Sequence, residues 1–386
     1  MKAVILAAGE GRRLEPLTEV RPKPMLPVAN KPLLEYVVEA AAEAGVDEIV
    51  LVVGYKRERI QSHFGDGDDW DVDIDYAVQS KQLGTGHAIL QAESRVDGPF
   101  LVLNGDRILE PAIIERVLDW EPTDDALLAV THSNQPSDYG VVEVAGERVQ
   151  AITEKPPRFA TATDIINAGV YRFGDDVFDV LRKTETDGEL TVTAALQGLV
   201  DDDRVRAIPY DGFWLDVSYL WDYLEVNAEV LDRFGAAVSP TADVHPSCVL
   251  ADDVAVGADT AIQPNASVLP GTSLGDNVLV EPNAVIANSV VLSDATVEAG
   301  AVLRDCIVGE NATIGPGSTV EGGPAAVAVE RALHEDVRLG GVVGDNASFG
   351  GNVTVVPGTV VGTGAVVDGG SVLRGRVPSG AEVRRG

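Results

Sequence analysis

From residue 238 onward the chain repeats itself with a period of six. Val238, Val244, Leu250, Val256, Ile262, Val268, Leu274, Val280, Ile286 and Leu292 fall at every sixth position. A one-off slip then resets the frame, and Val302, Val308, Ile314 and Val320 resume it; after an interruption Val337, Val343, Phe349, Val355, Val361, Val367 and Leu373 complete the series. An amphipathic helix needs apolar residues every three or four positions and a half-buried strand every two, so a strict six fits neither. It fits a triangular solenoid in which each hexad is one short strand and a turn, with one large aliphatic side chain pointing inward. Gly, Asn, Asp and Pro between the aliphatics, as in "LPGTSLGDN" and "VGENATIGPGS", supply turns that tolerate positive φ. A narrow prism has little room for rings, which accounts for an aromatic content of only 5% beside 45% hydrophobic residues.

The first 229 or so of the 386 residues follow another rule. "AVILAA" (3–8), "EIVLVVG" (48–54), "VDIDYAV" (72–78) and "PFLVLNGD" (99–106) read as strands, and "KPLLEYVVEAAAEAG" (31–45) reads as a helix ended by glycine. Alternating strand and helix predicts a mostly parallel sheet covered by helices, with ligands at the carboxyl ends of the strands. The chain therefore divides into an α/β domain over 1–229, a linker over 230–237, and the solenoid over 238–386 with an inserted loop at about 321–336.

The stretch "LAAGEGRRLEPLTEVRPKPMLPV" (6–28) carries the chemistry at the end of the first strand. A glycine-rich turn there lets backbone N–H groups approach anionic oxygens. It is neither the dinucleotide fingerprint, since Leu14 stands where the third glycine belongs, nor a Walker A loop, since no Gly-Lys-Ser/Thr follows. What distinguishes it is charge: Arg13 and Lys23 follow the turn, and Pro22, Pro24 and Pro27 stiffen the segment bearing the lysine.

Formal net charge is −32 with a pI near 4.3, and seven of the 29 basic residues are lysine. Such a surface repels nucleic acid and anionic lipid, which argues against both as partners, and it resembles that of proteins from a salt-saturated cytoplasm. Cys248 and Cys306 lie far apart with no histidine cluster beside them, so neither a disulfide framework nor a zinc site is indicated. With an N-terminal apolar run too short for a signal sequence and no uninterrupted membrane-length stretch, the expected location is cytoplasmic.

The opening stretch resembles the signature of the sugar-1-phosphate nucleotidylyltransferases, with Arg12 where that family usually has threonine. Further landmarks occur in family order: "QSKQLGTGHA" (79–88), "LNGD" ending at Asp106, "DYGVV", "ITEKP", "INAGVYRF", and "GFWLDVSYLWDYLEVN" (212–227), in which Ser218 and Tyr219 replace the usual Gly-Thr. The hexads resemble the left-handed parallel β-helix of hexapeptide-repeat proteins. The whole layout is similar to the archaeal bifunctional nucleotidylyltransferase/acetyltransferases and to N-acetylglucosamine-1-phosphate uridylyltransferase. The resemblance implies a Rossmann-like nucleotidyltransferase domain with a mixed, mostly parallel sheet, followed by that β-helix.

It also implies roles. Arg13 and Lys23 are the catalytic cations on a nucleoside triphosphate; Leu6, Ala8, Gly9, Gly11, Arg12, Gln79, Gly84 and Thr85 bind the nucleotide. Gly140, Glu154, Lys155 and Asn167 bind the sugar phosphate, and Asp106 and Asp216 hold Mg²⁺. The implied reaction joins UTP or dTTP to a hexose-1-phosphate, glucose-1-phosphate or N-acetylglucosamine-1-phosphate, with release of pyrophosphate. Relatives with such β-helices form trimers, and some transfer acetyl from acetyl-CoA using a histidine; His334, in the interruption "EGGPAAVAVERALHEDVRLGG" (321–341), is the candidate here. Two alternatives stand beside the single-activity enzyme: a bifunctional enzyme that also acetylates glucosamine-1-phosphate, and a non-catalytic subunit that senses nucleotide sugars. The last is expected to lack a member of the set Arg13, Lys23, Asp106 and Asp216, and all four are present.

Overall fold

A computed structural model describes residues 1–385 except 121–124, 162, 187, 236 and 331, and at 158 the backbone alone. Residues 236 and 331, inside the expected linker and loop, lie outside that description. The chain falls into two compact units that are not consecutive in sequence. The first comprises Met1–Glu10, Pro22–Met25 and Leu33–Leu215; the second comprises Gly11–Arg21, Leu26–Pro32 and Asp216–Gly386.

The first unit is built on a nine-stranded sheet. Its strands in chain order are β1 (Lys2–Ala7), β2 (Glu48–Val53), β3 (Asp73–Val78), β4 (Phe100–Asn104), β5 (Ala126–His132), β6 (Gly140–Ala145), β7 (Arg148–Glu154), β8 (Ile165–Phe173) and β9 (Val205–Pro209). They lie side by side as β3-β2-β1-β4-β8-β5-β9-β7-β6. The half from β3 to β4 is parallel, as the strand–helix alternation predicts. Beyond it β8 runs antiparallel to β4 and β5, and β7 antiparallel to β6 and β9, with β6 and β7 joined as a hairpin, while β9 lies parallel to β5. Alternation along β1 explains the layering. Ala3, Ile5 and Ala7 enter one core with the helix Leu33–Glu43, whereas Val4 enters another with the helices Thr85–Gln91 and Val192–Asp201.

The second unit is the left-handed β-helix: three parallel sheets of eight, seven and seven strands, most of them two residues long. Asn and Asp take the left-handed conformation at its corners, among them Asp259, Asn265, Asn277, Asn283, Asn311 and Asn346. Their side chains join successive coils, as in Asn277 Nδ2 to Asp294 Oδ1 at 2.7 Å and Asn311 Nδ2 to Asn346 Oδ1 at 2.8 Å.

The hexad frame needs correction at four positions. Val291, not Leu292, follows Ile286 in the prism core, and Leu303, not Val302, follows Val297. Two five-residue steps, from Ile286 to Val291 and from Leu303 to Val308, shorten single sides, and strand pairs there stand seventeen residues apart, as in Ser273 with Val290. Val238 is 47% exposed at the open end, and Val337 belongs to a hairpin, Pro324–Val329 with Ala332–Arg338, that projects from the solenoid. Cys306 is buried in the prism, where burial pushes its thiol pKa up, and Cys248 is partly buried; neither is disulfide-bonded.

Outward positions on one sheet of the prism, Ala255, Ser273, Val290, Ile307, Val342 and Val360, are nonetheless buried. Within this unit the helix Leu220–Phe234 and the segments 11–21 and 26–32 also belong. Asn227, fully buried, ties the helix to the 26–32 segment and to the coils: its Oδ1 accepts from Ala29 N and Ser273 Oγ, both at 2.9 Å, and its Nδ2 donates to Gly271 O at 3.1 Å. Ile286 sits at zero exposure in the prism core. Ile286→Ala is expected to lower unfolding stability by about 2–5 kcal/mol, since a narrow solenoid relaxes poorly around a cavity. Urea denaturation followed by circular dichroism measures it, with the change appearing in the midpoint.

Candidate active site

In the first unit the loop after β4 brings an acid and two cations together. Gly105 allows it: a Cβ there would lie 2.9 Å from Leu34 Cδ1 and from Leu6 O, while its N–H donates to Leu6 O at 3.0 Å. The next residue, Asp106, faces Lys23 with Nζ 2.6 Å from Oδ2, and Arg107 Nη1 stands 3.5 Å from its Oδ1. The surrounding protein opposes ionisation of Asp106, but Arg107 and Lys23 outweigh it and hold the carboxyl well below the usual carboxylate range. Lys23 starts a single turn of 3-10 helix, Lys23–Met25, framed by Pro22 and Pro24, so its backbone has little freedom. The Arg107 guanidinium lies 5.3 Å from the centre of the Trp214 ring, which steadies it.

A second cluster forms where β6 and β7 pair, with Gly140 opposite Glu154. A Cβ at Gly140 would lie 3.3 Å from Glu154 Oε2, 3.3 Å from Thr193 Cγ2 and 3.6 Å from Asn167 Cβ, so four side-chain positions surround one small space. Thr193 Oγ1 donates to Glu154 Oε2 at 3.1 Å, and Asn167 Nδ2 donates to the Tyr171 hydroxyl at 2.7 Å. Burial raises the Tyr171 phenol pKa, which keeps it neutral as an acceptor for that amide. Lys155 follows in the left-handed conformation, φ 43°, its N–H on Tyr139 O at 3.0 Å and its side chain exposed. Thr193 and Tyr171 escape sequence reading; the "LTVT" run holding Thr193 carries no charge or glycine signal of its own.

The third group closes the segment 79–86 on itself. Gln79, buried, donates from Nε2 to Gly84 O at 3.0 Å and lies 3.0 Å from His87 Nδ1. Thr85 Oγ1 accepts from Val192 N at 2.9 Å, so both side chains hold the loop in shape. Gly84 has φ 99° and ψ 171°, and a Cβ there would meet Leu190 O at 2.4 Å. Gln82 Nε2 donates to Ala8 O at 2.5 Å, which links this segment to the end of β1, where Leu6 pairs with Val52 and Asn104. Space beside Gly9 is open.

Gly11, Arg12, Arg13, Asp216 and His334 belong to the second unit. Gly11, at φ 73°, turns the chain so that its carbonyl accepts from Leu14 N and Thr18 Oγ1, both at 2.9 Å. Arg12 is exposed. Arg13 places its guanidinium 5.5 Å from the centre of the Tyr219 ring and Nη2 3.5 Å from Glu330 Oε2. Asp216 is buried, its Oδ2 accepting from Ser218 Oγ at 2.5 Å, while Asp222 receives the N–H groups of Ser218 and Tyr219 at the start of the following helix. Tyr219 stacks on Trp221 at 4.7 Å, and the His334 ring lies 4.7 Å from Tyr219 and 5.0 Å from Trp221. His334 thus sits in the projecting hairpin against two aromatic rings.

The family model described as nucleotidyl transferase matches residues 2–233. Models described as the GMPPB C-terminal domain and as the hexapeptide repeat of succinyl-transferase match residues 258–340 and 342–374. A relative named Bifunctional protein GlmU, from Methanococcus maripaludis, is 38% identical over 242 residues, 62% of this chain and 56% of the relative. The chain thus matches little more than half the length of that relative. The low-salt glycan biosynthesis nucleotidyltransferase Agl11 of Haloferax volcanii is 39% identical over 60% of this chain and 66% of its own length. A glucose-1-phosphate thymidylyltransferase of Streptomyces antibioticus is 35% identical over 67% of this chain and 73% of its own. Among solved structures, that of a UDP-glucose pyrophosphorylase complexed with UDP-glucose superposes with a TM-score of 0.54 at 25% identity, covering 60% of this chain and 98% of the other.

Proposed function

Given that the chain belongs to the nucleotidyl transferase family, we propose that it is a sugar-1-phosphate nucleotidylyltransferase using UTP or dTTP and glucose-1-phosphate or N-acetylglucosamine-1-phosphate. The observation that carries this reading is Lys23 held 2.6 Å from Asp106 at the carboxyl end of a central strand. A phosphate oxygen of the sugar attacks the α-phosphorus of the triphosphate, forming one P–O bond as the bond to pyrophosphate breaks. Anion approaches anion, so charge neutralisation and alignment supply the rate, and no protein nucleophile is needed. Arg13 and Lys23 take the triphosphate, with the backbone of Leu6, Ala8, Gly9, Gly11 and Arg12 around it. The loop of Gln79, Gly84 and Thr85 takes the base. Gly140, Glu154 and Asn167 take the sugar, with Lys155 on its phosphate.

Asp106 and Asp216 are hard oxygen donors, and among the described residues no group of three or more His, Cys, Asp and Glu gathers as a full cage. That donor set suits Mg²⁺, which shares its coordination with substrate phosphates and would spread their negative charge when bound. The matrix of UTP and dTTP against glucose-1-phosphate, glucosamine-1-phosphate and N-acetylglucosamine-1-phosphate, assayed for pyrophosphate in molar KCl, tests the reading. Silence across all pairs with a folded protein would overturn it.

The hexapeptide-repeat match favours a second activity in the β-helix, acetyl transfer from acetyl-CoA to glucosamine-1-phosphate with His334 as base. His334→Ala is then expected to abolish thiol release from acetyl-CoA, whereas pyrophosphate release, reached only indirectly through the Tyr219 ring that His334 and Arg13 share, should persist. Assembly is proposed as a trimer through the β-helix, whose outward Val249, Val366 and Val372 are exposed; light scattering reads the mass. No helix among the described residues is long and apolar enough to cross a membrane, and a cytoplasmic location is part of this reading.

A further inference from the structure

The loop Gly11–Arg21, which carries Arg13, ends on a buried ion pair with the β-helix. Arg21 and Asp345 have side chains 1% exposed, and Nη2 stands 2.9 Å from Asp345 Oδ2 and 2.9 Å from Glu310 Oε2. Nη1 donates to Leu17 O at 3.1 Å, within the loop itself. Asp345 is in turn fixed, because its Oδ1 accepts from Glu310 N at 2.7 Å and its backbone packs where a Cβ on Gly309 would stand, 2.5 Å from Asp345 N. Three further ties between loop and β-helix are exposed: Ser379 Oγ to Glu19 Oε1 at 2.9 Å, Arg376 to Glu15 at 3.8 Å, and Glu330 to Arg13 at 3.5 Å. Exposed pairs of that kind hold little.

We propose that Asp345, a β-helix residue, is a positioning residue for nucleotidyl transfer, acting through Arg21 to fix the loop that presents Arg13. A buried ion pair is poor value as a stabiliser, since an apolar pair of similar volume often does as well. Its use here is geometric: the guanidinium fork accepts one arrangement of two carboxylates and one carbonyl, and so sets a single register of the loop on the coil. Between Arg21 and Gly11 the chain is closed by Leu17 N to Leu14 O, Leu14 N to Gly11 O and Thr18 Oγ1 to Gly11 O, so a displacement at Arg21 passes to Arg13. The β-helix is thereby part of the nucleotide-binding apparatus, whether or not it has chemistry of its own. This inference rests on the reading of Arg13 as a triphosphate ligand.

The test compares full-length Asp345→Asn, the double variant Arg21→Met/Asp345→Leu, and Arg13→Met by steady-state kinetics and thermal unfolding. Asp345→Asn should raise KM for the nucleoside triphosphate at least about tenfold, the scale of a misplaced ligand, with KM for the sugar phosphate little changed. The double variant should regain the wild-type melting temperature and still keep the raised nucleotide KM. Recovery of nucleotide KM together with stability in the double variant would reduce the pair to a structural element and overturn the proposal. Arg13→Met separates the two readings. If it raises nucleotide KM while the double variant does not, the positioning role alone fails; if it leaves nucleotide KM unchanged, the role assigned to Arg13 fails and this inference with it.

Discussion

Lys23→Ala is expected to lower kcat/KM by about a hundredfold or more while the protein stays folded, the usual scale for losing one preorganised charge at a site of developing negative charge. Lys23 is restrained on both sides by proline and has a side chain only 13% exposed, so its charge is held in one place before the substrate arrives. Its loss also leaves Asp106, among the described residues, with the Arg107 guanidinium at 3.5 Å. The sign of the electrostatic effect follows. Because the folded protein holds the Asp106 carboxyl below its ordinary pKa, ionisation contributes stability above the unfolded value of about 4. That contribution disappears only as pH falls through the lower folded value. At neutral pH wild-type Asp106 is therefore fully charged and sets no limb of the rate profile, and in Lys23→Ala its pKa moves back upward. Pyrophosphate release and urea unfolding measured on the same preparation check both halves. A variant with near wild-type turnover would remove Lys23 from the reaction.

Gly84→Val is expected to be the next most damaging change, and its effect should concentrate on the nucleotide. At φ 99° and ψ 171° the residue occupies a region open essentially to glycine alone, and strain there costs about 1–3 kcal/mol before any collision is counted. The collision is with backbone: a Cβ would stand 2.4 Å from Leu190 O, and Gly86 N donates to that same carbonyl at 2.8 Å. The 79–86 loop must open, which breaks the Gln79 bond to Gly84 O. Nucleotide KM should rise at least about tenfold with smaller change in sugar-phosphate KM, as misplacement of a binding loop allows. Equal rises in both would show that the loop serves the whole cleft rather than the base.

What could be read in advance was what local spacing encodes. The hexads of "VGADTAIQPNASVLPGTSLGDN" yield a solenoid without tertiary knowledge, since each coil repeats the same local geometry. The strands at 2–7, 48–53, 73–78 and 100–104 and the helix 33–43 follow from apolar runs and periodicity. Where a side was one residue short, at Val291 and Val308, the rule of six misplaced Leu292 and Val302. The antiparallel half of the sheet was not legible because pairing between β8 and β4 depends on residues some seventy positions apart, as Val170 with Leu103 shows. The same distance hides the neighbours of Glu154: Gly140 and Asn167 stand out by local pattern, whereas Thr193 matters only once the chain has folded back. Arg21 was passed over for a related reason. It looks like one more surface cation beside Lys23 until Asp345, 324 residues away, closes on it.

Because Gly11–Arg21 and Leu26–Pro32 belong to the same compact unit as the solenoid, this gene does not divide into interchangeable cassettes. A fragment ending at residue 229 would leave Arg21 without Asp345 and Asn227 without its partners at Gly271 and Ser273. It would have to refold its own glycine loop without a template. Chimaeras that exchange the carboxyl-terminal coils for those of another protein would need to carry residues 11–21 and 26–32 with them while leaving 22–25 behind, so a seam for such an exchange cannot be a single point on the chain.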